Sequence, residues 1–174
     1  TLNNKPVSID PENPRIVTLR SAEGGGRASL TLGVRHTTKL FQQALTRLVH
    51  GMRYQAAYFF VVDRPNAVVR GHKVAAGDPR AEGLPARLEF PLDTEHSVVG
   101  KVAVTGIPLV VNDMETTTEP IHHPTVEELG YRALLAMPFR VKHQVVGVLA
   151  VTSWDAAFGD SDMELVAAVA NHVA

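Results

Sequence analysis

Apolar positions along this chain recur with two different periods, and the switches between them outline a fold. Leu40, Phe41, Ala44, Leu45, Leu48, Val49 and Met52 follow the i, i+3, i+4 spacing of one helical stripe, with Lys39, Gln43 and Arg47 mainly elsewhere. Residues 54–62 then read as a buried strand, because the run Tyr58-Phe59-Phe60-Val61-Val62 is aromatic and β-branched and ends in the turn cluster Asp63-Arg64-Pro65-Asn66. Residues 68–75 are expected back as its hairpin partner. A third strand is predicted over 86–92, where Leu88 and Phe90 alternate against Arg87 and Glu89. Ser97 caps a short helix that runs to Thr105 and ends at Gly106, and 107–111 follow as an extended piece.

Two nearly continuous apolar runs, 133–139 and 145–153, suit the centre of a sheet covered on both faces. A tight connection around Val141-Lys142-His143-Gln144 joins them. The last helix is announced by Ser161-Asp162-Met163-Glu164, with capping-box spacing, and is expected to bury Leu165, Val166, Val169, Ala170 and Val173. Between the extended piece and the central strands, 112–125 form the longest irregular stretch. There Thr125 has the spacing to Glu128 of a second capping box.

This order predicts an α+β sandwich: a central antiparallel sheet of about five or six strands, with the terminal helices on one face and the short helices and pocket loops on the other. Residues 1–34 read as a linker or N-terminal extension. Pro6, Pro11, Pro14 and Gly24-Gly25-Gly26 punctuate it, and strand-like islands fall at 15–19 and 29–32. The glycine run is not followed by Lys-Ser or Lys-Thr, so it does not read as a phosphate loop. Residues 35–174 make the main domain. The chain starts at Thr1 and stops within a helical pattern, which implies a longer parent protein.

Composition narrows the function. Seventeen basic against eighteen acidic residues give a formal charge of -1, which argues against nucleic acid as a partner. No apolar run reaches the roughly 18 residues of a membrane span, and no signal-peptide pattern opens the chain, so a cytoplasmic location without membrane insertion is expected. There is no cysteine, which removes thiol nucleophiles, disulfides and thiolate-held metals.

Four pieces carry a resemblance. Ser97-Val98-Val99-Gly100-Lys101-Val102-Ala103, Ile107-Pro108-Leu109-Val110-Val111-Asn112-Asp113, Gly130-Tyr131-Arg132-Ala133-Leu134-Leu135-Ala136-Met137-Pro138 and Val145-Val146-Gly147-Val148-Leu149 together resemble the GAF family from His36 to Ala174. The opening helix and the Phe-Phe-Val-Val strand also look like the GAF-type modules that follow HDOD domains in bacterial signalling proteins. The resemblance implies a regulatory domain that senses a small molecule and relays its presence through the terminal helices to an adjacent signalling domain. The alternative it leaves open is a structural or dimerisation module with a filled pocket and no ligand. Covalent bilin attachment and the methionine sulfoxide reductase activity known on this fold both need a cysteine that the chain lacks. The Asn-Lys, Phe, Asp-Glu signature of cyclic-nucleotide binders is incomplete: Phe158 and Asp162 are kept, but Ser153-Trp154 and Met163 stand where other members are needed. That departure counts against a cyclic nucleotide, and the cofactor stays unassigned.

The candidate ligand site lies between the sheet and residues 96–132. His96, Ser97, Asp113, His122, His123, Tyr131 and Arg132 supply polar groups there, and Phe90, Met137 and Phe139 are expected as walls. Arg132 is expected to pair with an anionic group, and the histidines to make binding pH-sensitive near neutrality. His122 and His123, beside Glu119 and Glu127, are the most metal-like cluster, yet adjacent side chains on an extended loop point apart and no HExxH helix frames them. No G-x-S-x-G nucleophile elbow is present, so no catalytic residue is assigned. The terminal helices are expected to pair in a homodimer, with Ala167, Ala168 and Asn171 as the second patch this requires.

Overall fold

In the central strands, side chains alternate between two separate cores, and the alternation fixes where everything else sits. The computed structural model describes residues 7–9, 17–20, 27–30, 34–52, 54–121, 127–155 and 157–172. The chain divides into two units, Thr1–Leu40 and Phe41–Ala174. In the first, β1 (Val7–Ile9), β2 (Val17–Arg20) and β3 (Arg27–Leu30) make a three-stranded antiparallel sheet. The islands read from sequence overlap β2 and β3. Nothing in the Pro-rich pattern signalled β1.

Helix α1 (Val34–Met52) leads into the second unit. There β4 (Ala56–Asp63), β5 (Val68–Ala76), β6 (Glu89–Pro91), β7 (Leu109–Val111), β8 (Ala133–Val141) and β9 (Gln144–Ser153) form an antiparallel six-stranded sheet in the order β6-β5-β4-β9-β8-β7. Helix α2 (Val98–Thr105) and helix α3 (Asp160–His172) complete it. This is the expected sandwich. Leu45, Leu48 and Val49 of α1 and Val166 and Ala170 of α3 pack on one face with Phe59, Leu135, Met137, Leu149 and Val151. Val98, Val99, Val102 and Ala103 of α2 pack on the other with Tyr58, Phe60, Leu134, Ala136, Val148 and Ala150.

Three boundaries differ from the sequence reading for local reasons. β6 is only three residues long, because Pro85–Arg87 before it close a tight 3-10 turn. β7 begins at Leu109, after Pro108, which has no N–H to give to a ladder. The capping box of α3 also sits two residues earlier than expected: the Gly159 N–H donates to the Asp162 carboxylate (2.9 Å), so Gly159 caps the helix and Asp162 reaches back from its first turn. Ser161 and Glu164 are already inside the helix. The proposed Thr125 cap lies outside the described residues.

Helix α2 is as read. Ser97 Oγ accepts the Gly100 N–H at 2.8 Å, and Gly106 ends the helix at φ 66°, the left-handed region glycine enters without strain. Gly100 is needed for a different reason. A Cβ there would collide with the Pro91 carbonyl oxygen and stand 2.9 Å from that of Asp93, so the missing side chain lets α2 lie directly on the chain leaving β6.

Candidate functional site

The space beneath α2 is created by small residues in one row of the sheet. Cross-strand register places Tyr58 beside Ala150 and Ala150 beside Ala136, so the two central positions of that row are methyl groups. The result is a cavity of about 50 Å³. Phe60, Leu88, Phe90, Val98, Val99 and Leu134 contribute apolar walls, and Met114, Pro120 and Ile121 cover it from the irregular stretch after β7. At roughly 10–15 Å³ per water, it has room for a few waters or a molecule of a few heavy atoms.

Polar side-chain groups among the described lining residues are all hydroxyls: Tyr58, Tyr131, Thr152 and Ser97. The Tyr58 and Tyr131 hydroxyls share a hydrogen bond of 2.8 Å. Their rings meet edge to face, with centroids 6.4 Å apart, and Trp154 stacks on the far side of Tyr131 at 6.3 Å. Trp154 is fixed in turn by Nε1–H donation to the Leu129 carbonyl (3.0 Å). Burial pushes both tyrosine pKa values up, because a phenolate would lose its hydration there; for Tyr58 the neighbouring Tyr131 adds to the effect. Both hydroxyls therefore stay protonated at neutral pH; one donates to the other, and the pair keeps one further O–H able to donate. The Ser97 hydroxyl is already engaged in capping α2.

The cover is pinned to α2 at two points. Val98 N–H donates to the Pro120 carbonyl (2.9 Å), and Lys101 Nζ pairs with the Glu119 carboxylate at 2.7 and 3.0 Å. At its start, Met114 N–H donates to the Arg132 carbonyl at 2.9 Å. Asn112 binds Phe158 through both side-chain atoms, its Oδ1 accepting the Phe158 N–H (2.7 Å) and its Nδ2–H₂ donating to the Phe158 carbonyl (3.1 Å). That pair links the end of β7 to the segment entering α3.

Of the residues singled out from sequence, Phe90, Ser97 and Tyr131 line the cavity. Met137 and Phe139 do not: they belong to the core under α1 and α3, one residue out of phase with Ala136. His96 is exposed and pairs through Nδ1 with Asp93 at 2.7 Å. Asp113 holds a local turn, with its Oδ1 accepting the Glu115 N–H at 3.0 Å. That bond, a second to Thr116 and the nearby Arg132 charge hold its carboxyl below the usual range. Arg132 is exposed and is not part of the lining. His122 and His123 lie outside the described residues. Tyr58, Ala150 and Thr152 also line the cavity and were not singled out from sequence; alternation along β9 puts the last two on one face, but nothing in its apolar run says which face that is.

Residues 36–174 match the GAF domain family, and the chain belongs to it. The fold agrees with that of solved GAF structures. The GAF domain region of a Geobacter sulfurreducens PCA protein superposes with a TM-score of 0.67 at 18% identity, covering 80% of this chain and 91% of that one. Free methionine-R-sulfoxide reductase from Neisseria meningitidis, solved with its substrate, gives 0.64 at 17%, covering 79% and 74%. NreA from Staphylococcus aureus, described as mutated in its nitrate-binding site, gives 0.59 at 21%, covering 73% and 95%. No curated protein matches the sequence. GAF domains are common signalling and regulatory modules, and no helix among the described residues is long and apolar enough to cross a membrane.

Proposed function

We propose that this GAF domain is the sensor of a larger cytoplasmic bacterial signalling protein and binds a small, neutral, largely apolar molecule under α2. The observation that carries the reading is a cavity with apolar walls and a protonated tyrosine pair, on the sheet face opposite the terminal helices. No charged side chain is among its described lining residues, so an anion held by Arg132 is not the ligand class favoured. A molecule of more than a few heavy atoms enters only if the cover over Met114, Pro120 and Ile121 moves, breaking the Lys101–Glu119 pair. The Asn112–Phe158 link then offers a mechanical route from the cover to α3, and a homodimer joined through α1 and α3 would carry the signal onward. The absence of cysteine separates this chain from thiol chemistry, and we assign it no catalysis.

One observation favours a second reading. The cavity is small and its aromatic walls pack on one another, with ring centroids 5.8 Å apart for Phe60 and Phe90 and 6.2 Å apart for Tyr58 and Phe60, as expected of a structural module that packs the space itself. Native mass spectrometry of the protein taken directly from its own cells separates the two. A copurifying small molecule, lost when Ala150 is enlarged to Leu, supports sensing. Protein at its bare mass, with no thermal stabilisation across a panel of small neutral compounds, supports the structural role.

A further inference from the structure

At the far end of α2 the molecule presents an open groove of about 500 Å³ that the cavity does not explain. Its described lining carries basic side chains and no carboxylate: Arg64 from the β4–β5 turn, Arg140 at the end of β8, and Lys142 and His143 in the β8–β9 turn. The nearest carboxylate in sequence, Asp63, is engaged with Asn66 Nδ2 (2.7 Å) and Arg70 (3.5 Å). Among the described residues, neither Arg64, Arg140 nor Lys142 forms an ion pair. Part of this charge has a local use. Arg140 donates to the Gly106 carbonyl at 2.8 Å, complementing the negative end of α2, and Arg64 donates to the Val145 carbonyl at 3.1 Å. Neither use accounts for Lys142 or His143.

A further feature points to a partner. Of the five large hydrophobic residues exposed among the described ones, Val104 and Val141 line the groove at 49% and 43% exposure, and Ile107, next to Gly106, is 66% exposed. Lys142 holds a left-handed backbone at φ 57°, as the two-residue turn between Val141 and Gln144 calls for, a position where glycine or asparagine is cheaper. Small inorganic anions have no use for the exposed aliphatic residues beside the charges.

We propose that this groove docks an acidic peptide segment with aliphatic side chains, belonging to a partner protein, whose carboxylates meet Arg64, Lys142 and His143 and whose aliphatic groups cover Val104, Ile107 and Val141. The proposal stands apart from the ligand cavity. Its test is a selection of displayed random short peptides on the wild-type protein, followed by affinity measurement of the winners on Lys142→Gly and Arg64→Gln. Acidic sequences with Leu, Ile or Val should be enriched, their binding should weaken with salt, and each substitution should lower affinity ~10-fold, the scale of one charge-assisted contact. Lys142→Gly should meanwhile keep or raise the thermal midpoint, since it relieves the turn, so lost binding cannot be put down to misfolding. No enrichment of acidic peptides, equal affinity for both variants, or charge-dependent sedimentation with phosphatidylserine vesicles in place of peptide binding would each overturn it.

Discussion

Two adjacent rows of the same sheet, one residue apart in every strand, do opposite things. Phe59, Leu149 and Met137 lie side by side beneath α1 and α3 and fill their core with large side chains. Tyr58, Ala150 and Ala136 lie side by side beneath α2, where Tyr58 and Ala150 border an apolar cavity that four hydroxyls also reach. Backbone and burial are nearly the same, so the difference lies in the two alanines and in the hydroxyls. One face of the sheet is committed to stability, which frees the other to be incompletely packed.

The comparison predicts unequal responses to mutation. Leu135, fully buried on the helix-covered face, should cost ~2–5 kcal/mol when cut to Ala, from lost burial plus the cavity left behind. Urea denaturation followed by circular dichroism measures this directly. A midpoint unchanged from wild type would mean that the helix-covered face is not the main source of stability.

A smaller effect is expected on the cavity side from Tyr131→Phe. The ring and its stacking on Trp154 remain, but the Tyr58 hydroxyl loses its partner in a buried setting, at ~1–2 kcal/mol. Ligand affinity should fall with it. If Tyr131→Phe leaves both stability and binding untouched, the hydroxyl pair is not what gives this face its character.

Smaller again in stability should be Ala150→Val, which grows into existing space and should shift the folding free energy by less than ~1 kcal/mol, below the usual overpacking range. Its effect on binding should be large. Ligand-induced thermal stabilisation that survives the substitution would place the ligand elsewhere.

Most of the architecture was legible because it is written in period and punctuation. The Ser97 cap and the Gly106 stop bracket α2 to the residue, and the hairpin of β4 and β5 follows from one aromatic run and one turn cluster. The site was less legible, for a physical reason. Strands covered on both faces read as continuous hydrophobic runs, so nothing in the run Ala133–Phe139 says which alternate residues face the cavity; Met137 and Phe139 lie on the other parity. The cavity itself is an absence of volume, and alanine in a strand advertises nothing. Polar residues drew attention to His96, Asp113 and Arg132; among the described contacts His96 bonds Asp93, Asp113 holds a local turn, and Arg132 is exposed outside the cavity lining.

The smallest effect expected is a null one, and it tests the cavity-side chemistry most narrowly. With only hydroxyls among its described polar lining, and both tyrosine pKa values raised by burial, the affinity for a neutral ligand should be flat from about pH 6 to pH 9. The stability contributed by this tyrosine pair should respond only at higher pH. The folded chain keeps three phenolic protons, those of Tyr58 and Tyr131 here and of Tyr54 on the other face, that the unfolded chain releases above about pH 10, so the contribution is complete below that value and declines as pH rises past it. Tyr58→Phe should remove part of this alkaline dependence. Calorimetric titration of ligand across the neutral range, paired with urea midpoints in alkaline buffers, measures both quantities. A step in affinity near pH 6.5 would instead bring a histidine into the site and return His122 and His123 to it, whereas a flat binding profile with an alkaline fall in stability that Tyr58→Phe reduces assigns the chemistry of this face to the Tyr58–Tyr131 pair.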